Sequence, residues 1–316
     1  MSNLMRREKG QTGGKRPLKK RIRESLPYYI MLLPGLIILV IFCYFPLYGW
    51  KIAFEKFIPA KGFFGNQQNV GLHWFKYLLN YPNFNQAFRN TLVISVEKLI
   101  LMTLVSIAFS ILLNEIYSRK LKSTLQTIVY LPHFLSWIIL AGVLVDILSP
   151  SSGVVNKMIT ACGGKPIFFL GSNDYFQGTV VITDVWKEFG FNSIVYLAAI
   201  TSIDQSLYEA AVVDGASRWK QTWHVTLPGM MPIIMLMLLL NIGGVMNANF
   251  DQIYNLYSPV VYATGDVLDT LVYRVGLIQM NFSLSTAISI FKSVISLILV
   301  GGSYLAAYKF TDYQIF

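Results

Sequence analysis

Apolar residues along this chain fall in long blocks rather than in the stripes of a soluble core. Positions 28–50 carry no charge over 23 residues, and 125–145 and 230–250 are each charge-free over 21. The block 99–113 is charge-free and extends back through Glu97-Lys98 to Thr91, and a last block from about 283 to 309 encloses only Lys292. A helix crossing ~30 Å of hydrocarbon needs roughly 20 such residues, so five blocks qualify. A sixth, 176–203, is interrupted by Asp184 and Lys187-Glu188. It has the length of a span, and because lipid cannot solvate charges, these must face a protein interior or a wet cavity. The pattern predicts an all-α integral membrane fold with six transmembrane helices, over about 28–49, 91–114, 125–148, 177–203, 230–250 and 284–309.

Composition supports this. Apolar residues make up 54% and charged residues 13%, against about 25% charged in an average soluble domain; the mean hydropathy is +0.51. The net charge of +10 raises nucleic acid as a partner, but its distribution points to the membrane. Nine Lys/Arg residues precede the first block without interleaved aromatics, the pattern that holds a terminus on the cytoplasmic side and contacts anionic lipid. With six spans both termini are then cytoplasmic. Residues 1–25 are a disordered basic tail and 26–316 form one six-helix domain. The loop bearing Arg119, Lys120 and Lys122 and that bearing Arg218 and Lys220 fall inside, whereas 251–281 falls outside. The outside loop 51–89, with five Lys/Arg, fits this orientation least well. The first span, long and polybasic at its flank with no small-x-small site after it, is expected to stay in the mature protein. Cys43 and Cys162 make no disulfide framework.

One inside loop is more than a connection. Ser206-Leu207-Tyr208-Glu209 reads as a capping box, opening a helix that Asp214-Gly215 ends with glycine in the left-handed position. A second helix is expected from Ser217 to about Thr226, with Trp219 and Trp223 neighbours at i, i+4. Leu227-Pro228 is expected to stop it and Pro232 to open the next span. Periodicity alone leaves two readings for 206–228: an interfacial hairpin anchored by its tryptophans, or a docking element for another protein.

The string EAAVVDGASRWKQTWHVTLP resembles the EAA loop of the permease subunits of binding-protein-dependent ATP-binding-cassette (ABC) importers. Glu209, Ala210, Ala211 and Gly215 match its core, Asp214 and Ala216 its carbohydrate-importer form, and Leu227-Pro228 its close. Pro34 to Pro46, the Trp186–Gly190 interruption and Leu207-Tyr208 extend the likeness. It is strongest to oligosaccharide permeases, in the branch that includes the Lpl-type and polygalacturonan or rhamnogalacturonan permeases. The resemblance implies a type I importer permease fold in a bacterial cell membrane and a second permease subunit. It also implies two ATPase subunits docked on this loop, an extracellular solute-binding protein and an oligosaccharide substrate.

The energy source must then lie on another chain. The phosphate-binding pattern G-x-x-x-x-G-K-[ST] is absent, and the Gly13-Gly14-Lys15 and Gly163-Gly164-Lys165 strings lack its spacing and its hydroxyl. No catalytic constellation or metal-ligand spacing is visible, and ATP and Mg are expected on the partner ATPase. Polar residues inside spans are the candidates for a substrate path: Asp184, Trp186, Lys187, Glu188 and Phe191 in the fourth span, and Asn241, Asn247, Asn249 and Asp251 at the fifth. Each has an alternative reading as a bond between helices. Lys292 is expected to neutralise Glu97, Glu188 or an interface carboxylate. A rival function is an ion-gradient-driven secondary transporter of a polar solute, which favours inverted repeats and a discontinuous midplane helix; no repeat is apparent. Nothing catalytic supports a membrane enzyme, and a scaffold would not need polar residues buried in two spans.

Overall fold

A computed structural model describes residues 18–310. Two units, Met1–Lys51 and Ile52–Phe316, are distinguished by their contacts. In the first, α1 (Leu18–Leu39) accommodates Pro27 and Pro34 and runs on through a π turn, Val40–Tyr44, into a 3-10 segment, Phe45–Phe54, whose last three residues belong to the second unit. The residues of the basic tail up to position 17 lie outside the described residues. From Leu18 onward that segment is helical.

The second unit opens with a short antiparallel pair, β1 (Glu55–Lys56) and β2 (Gln68–Asn69), with Glu55 opposite Asn69. α2 (His73–Leu79) follows, and the Trp74 indole N–H donates to the Glu55 carbonyl at 3.0 Å. This part of the predicted outside loop 51–89 is therefore folded. Two long helices, α3 (Phe84–Asn114) and α7 (Asn173–Thr201), pack along one another and form the frame of the unit. The Ser106 hydroxyl donates to the Phe189 carbonyl at 3.1 Å, and the Phe109 and Phe189 rings meet edge to face at 5.3 Å. Between them in sequence lie α4 (Arg119–Tyr130), α5 (Trp137–Ile147) and α6 (Val154–Ala161). After α7 come α8 (Gln205–Val213), α9 (Arg218–Gln221) and α10 (Leu227–Ile242). The chain ends with α11 (Phe250–Leu256), α12 (Tyr262–Gly265), α13 (Leu268–Tyr273) and α14 (Phe282–Phe310).

Among the described residues four helices are long and apolar enough to cross a membrane: Ser25–Phe54, Phe84–Asn114, Arg218–Ile242 and Phe282–Leu305. The predicted third span is not one straight helix. It is two, Arg119–Phe134 and Trp137–Ile147, bent by 103°. Pro132 sits in a 3-10 turn, Leu135 is extended, and the Ser136 hydroxyl caps α5 by accepting from the Ile139 amide, so the chain restarts instead of continuing. α7 has the length of a span, at 29 residues, but carries Asp184, Lys187 and Glu188. The predicted fifth span is shifted: its helix starts at Arg218 and ends at Ile242, where Gly243-Gly244 release the chain into a turn. The predicted outside loop beyond it holds α11–α13.

α4 and α7 approach closely where Gly190 faces Val129, since a Cβ at Gly190 would lie 2.5 Å from the Val129 carbonyl oxygen. Lys292 on α14 pairs with Asp269 on α13. That is the interface carboxylate; Glu97 and Glu188 engage Gln177, Lys187 and His133 instead.

Candidate functional site

Two features stand out, a polar cavity between the long helices and a hairpin at one end of them. The cavity, of about 220 Å³, lies between α3, α7 and the turn that follows α10. One wall is the row Asp184, Glu188, Asn192 and Tyr196 on α7, spaced by four residues and so stacked on one face. The opposite wall is Ser95, Lys98, Thr103 and Ser106 on α3, and the third side carries Asn241, Asn247 and Asn249.

A buried network ties these walls together. Lys98, with a side chain only 9% exposed, lies 3.5 Å from Asp184 Oδ1. Its ammonium donates to Gln252 Oε1 at 2.5 Å and to the Ala248 carbonyl at 3.1 Å. Gln252, fully buried, donates in turn to the Val180 carbonyl and the Thr183 hydroxyl. Asn249 donates to Asp184 Oδ1 at 3.1 Å while its own carbonyl oxygen caps α11 by accepting from the Gln252 amide. It adopts a left-handed backbone (φ 69°), which asparagine tolerates better than most residues. The turn thus aims one amide at both the helix end and the carboxylate.

Of the residues singled out from sequence, Asp184, Glu188, Asn241, Asn247 and Asn249 come together in the cavity wall. Trp186, Lys187, Phe191 and Asp251 do not. Trp186 lies two positions from Asp184 on a 3.6-residue helix, hence on the far face, and is exposed. Lys187 turns toward the α4–α5 break, donating to the His133 carbonyl at 3.0 Å, pairing with Glu188 Oε1 at 2.5 Å and lying 5.6 Å from the Trp137 ring centre. Phe191 stacks on His133 with ring centres 3.9 Å apart, and Asp251 is exposed on α11. Glu188 belongs to both places: it lines the cavity, and its second oxygen lies 2.5 Å from His133 Nδ1.

Sequence reasoning missed Lys98, Gln252, His133, Asn192, Tyr196 and Ser95. The signal for part of this set was present. Thr91, Ser95 and Lys98 recur at helical spacing inside an apolar block and are all buried, a polar stripe that a scan for charge-free length passes over.

The hairpin forms as a compact corner. The N-cap of α8 is Asp204 and not Ser206: its carboxylate accepts from the Ser206 amide at 2.9 Å, which displaces the predicted capping box by two positions. Donation from Ser206, chiefly by its backbone amide, holds the Asp204 carboxyl below its ordinary pKa. At the other end Gly215 is left-handed (φ 74°). The Gly215 amide donates to the Val212 carbonyl and the Ala216 amide to the Ala211 carbonyl, at 3.0 and 2.9 Å, the bond pair of a Schellman ending. Ser217 caps α9.

Leu227-Pro228 do not stop the second helix. α9 passes through a π turn, Thr222–Thr226, directly into α10. The wider π turn just before it accommodates Pro228 without breaking the rod. The hairpin's second arm and the following span are one continuous rod, Arg218–Ile242. Tyr208 on α8 is joined to Thr226 on this rod at 3.0 Å. Arg218 donates to the Tyr117 hydroxyl at 2.6 Å and lies 3.6 Å from Glu115, fixing the corner to the end of α3. A recess of about 560 Å³ between these parts is lined by Glu115, Glu209, Val212 and Arg218. Trp219 and Trp223 meet edge to face at 5.9 Å and are exposed.

Residues 100–307 match the family model of the binding-protein-dependent transport system inner membrane component. The chain is 38% identical over 302 residues to the polygalacturonan/rhamnogalacturonan transport system permease protein YteP of Bacillus subtilis, covering 96% of this chain and 94% of that one. It is 37% identical to Protein LplB of the same organism, covering 91% and 90%. A chain from the crystal structure of a bacterial ABC transporter involved in the import of the acidic polysaccharide alginate superposes with a TM-score of 0.85 at 38% identity, over 93% of this chain and 99% of that one. A chain of a bacterial alginate ABC transporter in complex with an alginate pentasaccharide-bound periplasmic protein gives 0.86, over 94% and 99%. The chain belongs to the family of membrane permease components of binding-protein-dependent ABC transport systems, a non-enzymatic family of integral membrane proteins.

Proposed function

We propose that this chain is one membrane-spanning subunit of an ATP-driven importer that carries an oligosaccharide, delivered by an extracellular binding protein, across a bacterial cell membrane. The observation that carries this reading is the pairing of a polar, amide- and hydroxyl-lined cavity with a rigid corner whose second arm is continuous with a cavity-forming helix. A sugar presents many hydroxyls, and the wall supplies donors and acceptors in kind from Asn192, Asn241 and Asn247. The YteP and alginate importer relatives are consistent with a saccharide cargo.

In this reading the 206–228 corner docks on a separate ATPase through Glu209, Ala210, Ala211, Asp214, Gly215 and Ala216. The small alanines admit close approach, and Gly215 sets the corner. Force applied at Arg218 reaches Ile242 along one rod, without a hinge at Leu227-Pro228. A second, homologous permease completes the pathway, two ATPase subunits hold ATP and Mg, and both termini lie in the cytoplasm with six crossings. The test is uptake by the complete importer in proteoliposomes. Saccharide accumulation that needs internal or external ATP on the ATPase side and survives an ionophore supports the reading. Uptake that persists without ATP and collapses with the ionophore moves the chain to the secondary-transporter class.

A further inference from the structure

The charge state of the saccharide is open in the reading above, and the cavity bears on it. We infer that this subunit's part of the path is built for an uncharged saccharide, not for a polyanion such as a uronate oligomer. The inference rests on the saccharide reading and concerns the chemical class carried.

The wall contains one ammonium, Lys98, against two carboxylates, Asp184 and Glu188. The ammonium has three protons and is already committed to three oxygens: Gln252 Oε1, the Ala248 carbonyl and Asp184 Oδ1. A uronate reaching it must displace a buried partner, leaving Asp184 or Gln252 unpaired in an interior where that is costly. Lys187, the neighbouring cation on α7, is spent outside the cavity on Glu188 and the His133 carbonyl. Recognition of a carboxylate favours an available cation, and above all a guanidinium fork; no arginine lines this cavity.

The capacity that remains unspent is neutral. The Asn241 amide is bonded only locally, donating to the Met237 carbonyl at 2.8 Å, and its side of the cavity is exposed. Asn192 donates to the Glu188 carbonyl within its own helix and to Met102 Sδ on α3 at 3.7 Å, which leaves its amide oxygen for a guest. Amides of this kind match ring hydroxyls, while Asp184 and Glu188, paired with Lys98 and Lys187, leave the wall no net positive charge to draw in a chain of uronates.

The test is made in the complete importer, with its partner permease, ATPases and binding protein, in proteoliposomes. Malto-, xylo- and galacto-tetraose are compared with tetragalacturonate by kcat/KM for uptake, for the wild type, Asn241→Lys and Asp184→Asn. The wild type is expected to import at least one neutral tetrasaccharide at least tenfold better than tetragalacturonate. Asn241→Lys, which adds an uncommitted cation, is expected to move that ratio about tenfold toward the uronate, and more so at low salt. Asp184→Asn, which releases Lys98, is expected to move it the same way. Because the binding protein is the same throughout, a shift between variants reports on this chain. A wild type that prefers tetragalacturonate, or a ratio that neither variant moves, overturns the inference while leaving saccharide import standing. Uptake of no saccharide, neutral or acidic, by an importer with active ATPases overturns the saccharide reading and this inference with it.

Discussion

Replacing Gly215 by proline removes the corner of the hairpin with little effect on the spans. Gly215 sits at φ 74°, whereas proline is held near −65°, so the backbone must swing through about 140° at this residue. The substitution also deletes the amide that donates to the Val212 carbonyl, and the rotation pulls the Ala216 amide from the Ala211 carbonyl. Forcing an L-residue into the left-handed region costs about 1–2 kcal/mol, and each lost bond about 1 kcal/mol net, so the native corner is disfavoured by about 3 kcal/mol or more. That is roughly a hundredfold in population. What opposes it is slight: the part-buried Tyr208–Thr226 hydrogen bond contributes on the order of 1 kcal/mol, and the Arg218–Tyr117 contact is exposed. The α7 and α10 helices on either side bury Tyr196, Ile200, Met230 and Ile234 together, so membrane insertion should survive. The assay is saccharide-stimulated ATP hydrolysis by the assembled importer, with insertion checked by detergent-extracted yield. Stimulation should fall to the basal rate for Gly215→Pro and stay near wild type for Gly215→Asn, because asparagine accepts the left-handed backbone. Full stimulation in an inserted Gly215→Pro protein would falsify the coupling role and leave the hairpin as an interfacial anchor.

Three further outcomes follow from the packing. Lys98→Met strands Asp184 in a buried site and should cost about 3–5 kcal/mol, read as a lower melting temperature in detergent. Adding Asp184→Asn should recover part of it, and a double variant no better than the single one would separate the two residues energetically. Asn156→Ala deletes a buried side chain that donates to the Leu148, Ser149 and Ile167 carbonyls and accepts from the Ile167 amide. It should lower stability by about 1–3 kcal/mol and open the 149–167 loop to protease, whereas unchanged cleavage there would refute the clip. Gly190→Leu drives a side chain into the Val129 carbonyl and should lower the inserted yield, while Gly178→Leu, where a Cβ meets nothing within 4 Å, should not.

How much of this was legible in the sequence depended on the range of the interaction. Block length located the apolar helices because desolvation of a backbone is a local sum over side chains. Gly215 announced its own conformation for the same reason: left-handed backbone is a property of one residue. Local reasoning failed where competing signals stood close together. Ser206 and Asp204 could both cap α8, and the carboxylate nearer the chain's turn won. Pro228 read as a stop, yet the π turn before it absorbed the missing amide. Pro132 lay inside a charge-free run that length alone made a single span, and the 103° bend there depends on Leu135 extending and Ser136 restarting the helix.

The cavity was the least legible part, because its chemistry is set by pairs far apart in sequence. Lys98 and Gln252 are 154 positions apart, and His133 and Glu188 are 55 apart. Sequence placed Lys187 and Glu188 side by side as equal candidates. Only the contact of Lys187 with the α4–α5 break shows that one faces away while the other lines the wall. The same contact gives Glu188 its position between two parts that the proposed importer would move against one another: the cavity on one side and the α4–α5 bend on the other. A carboxylate whose two oxygens are divided between Lys187 and His133 cannot turn toward a passing sugar without loosening the bend. In that arrangement Glu188 is better placed to register the state of α4–α5 than to grip a substrate, and in the proposed importer the amides across the cavity are left to make the sugar contacts.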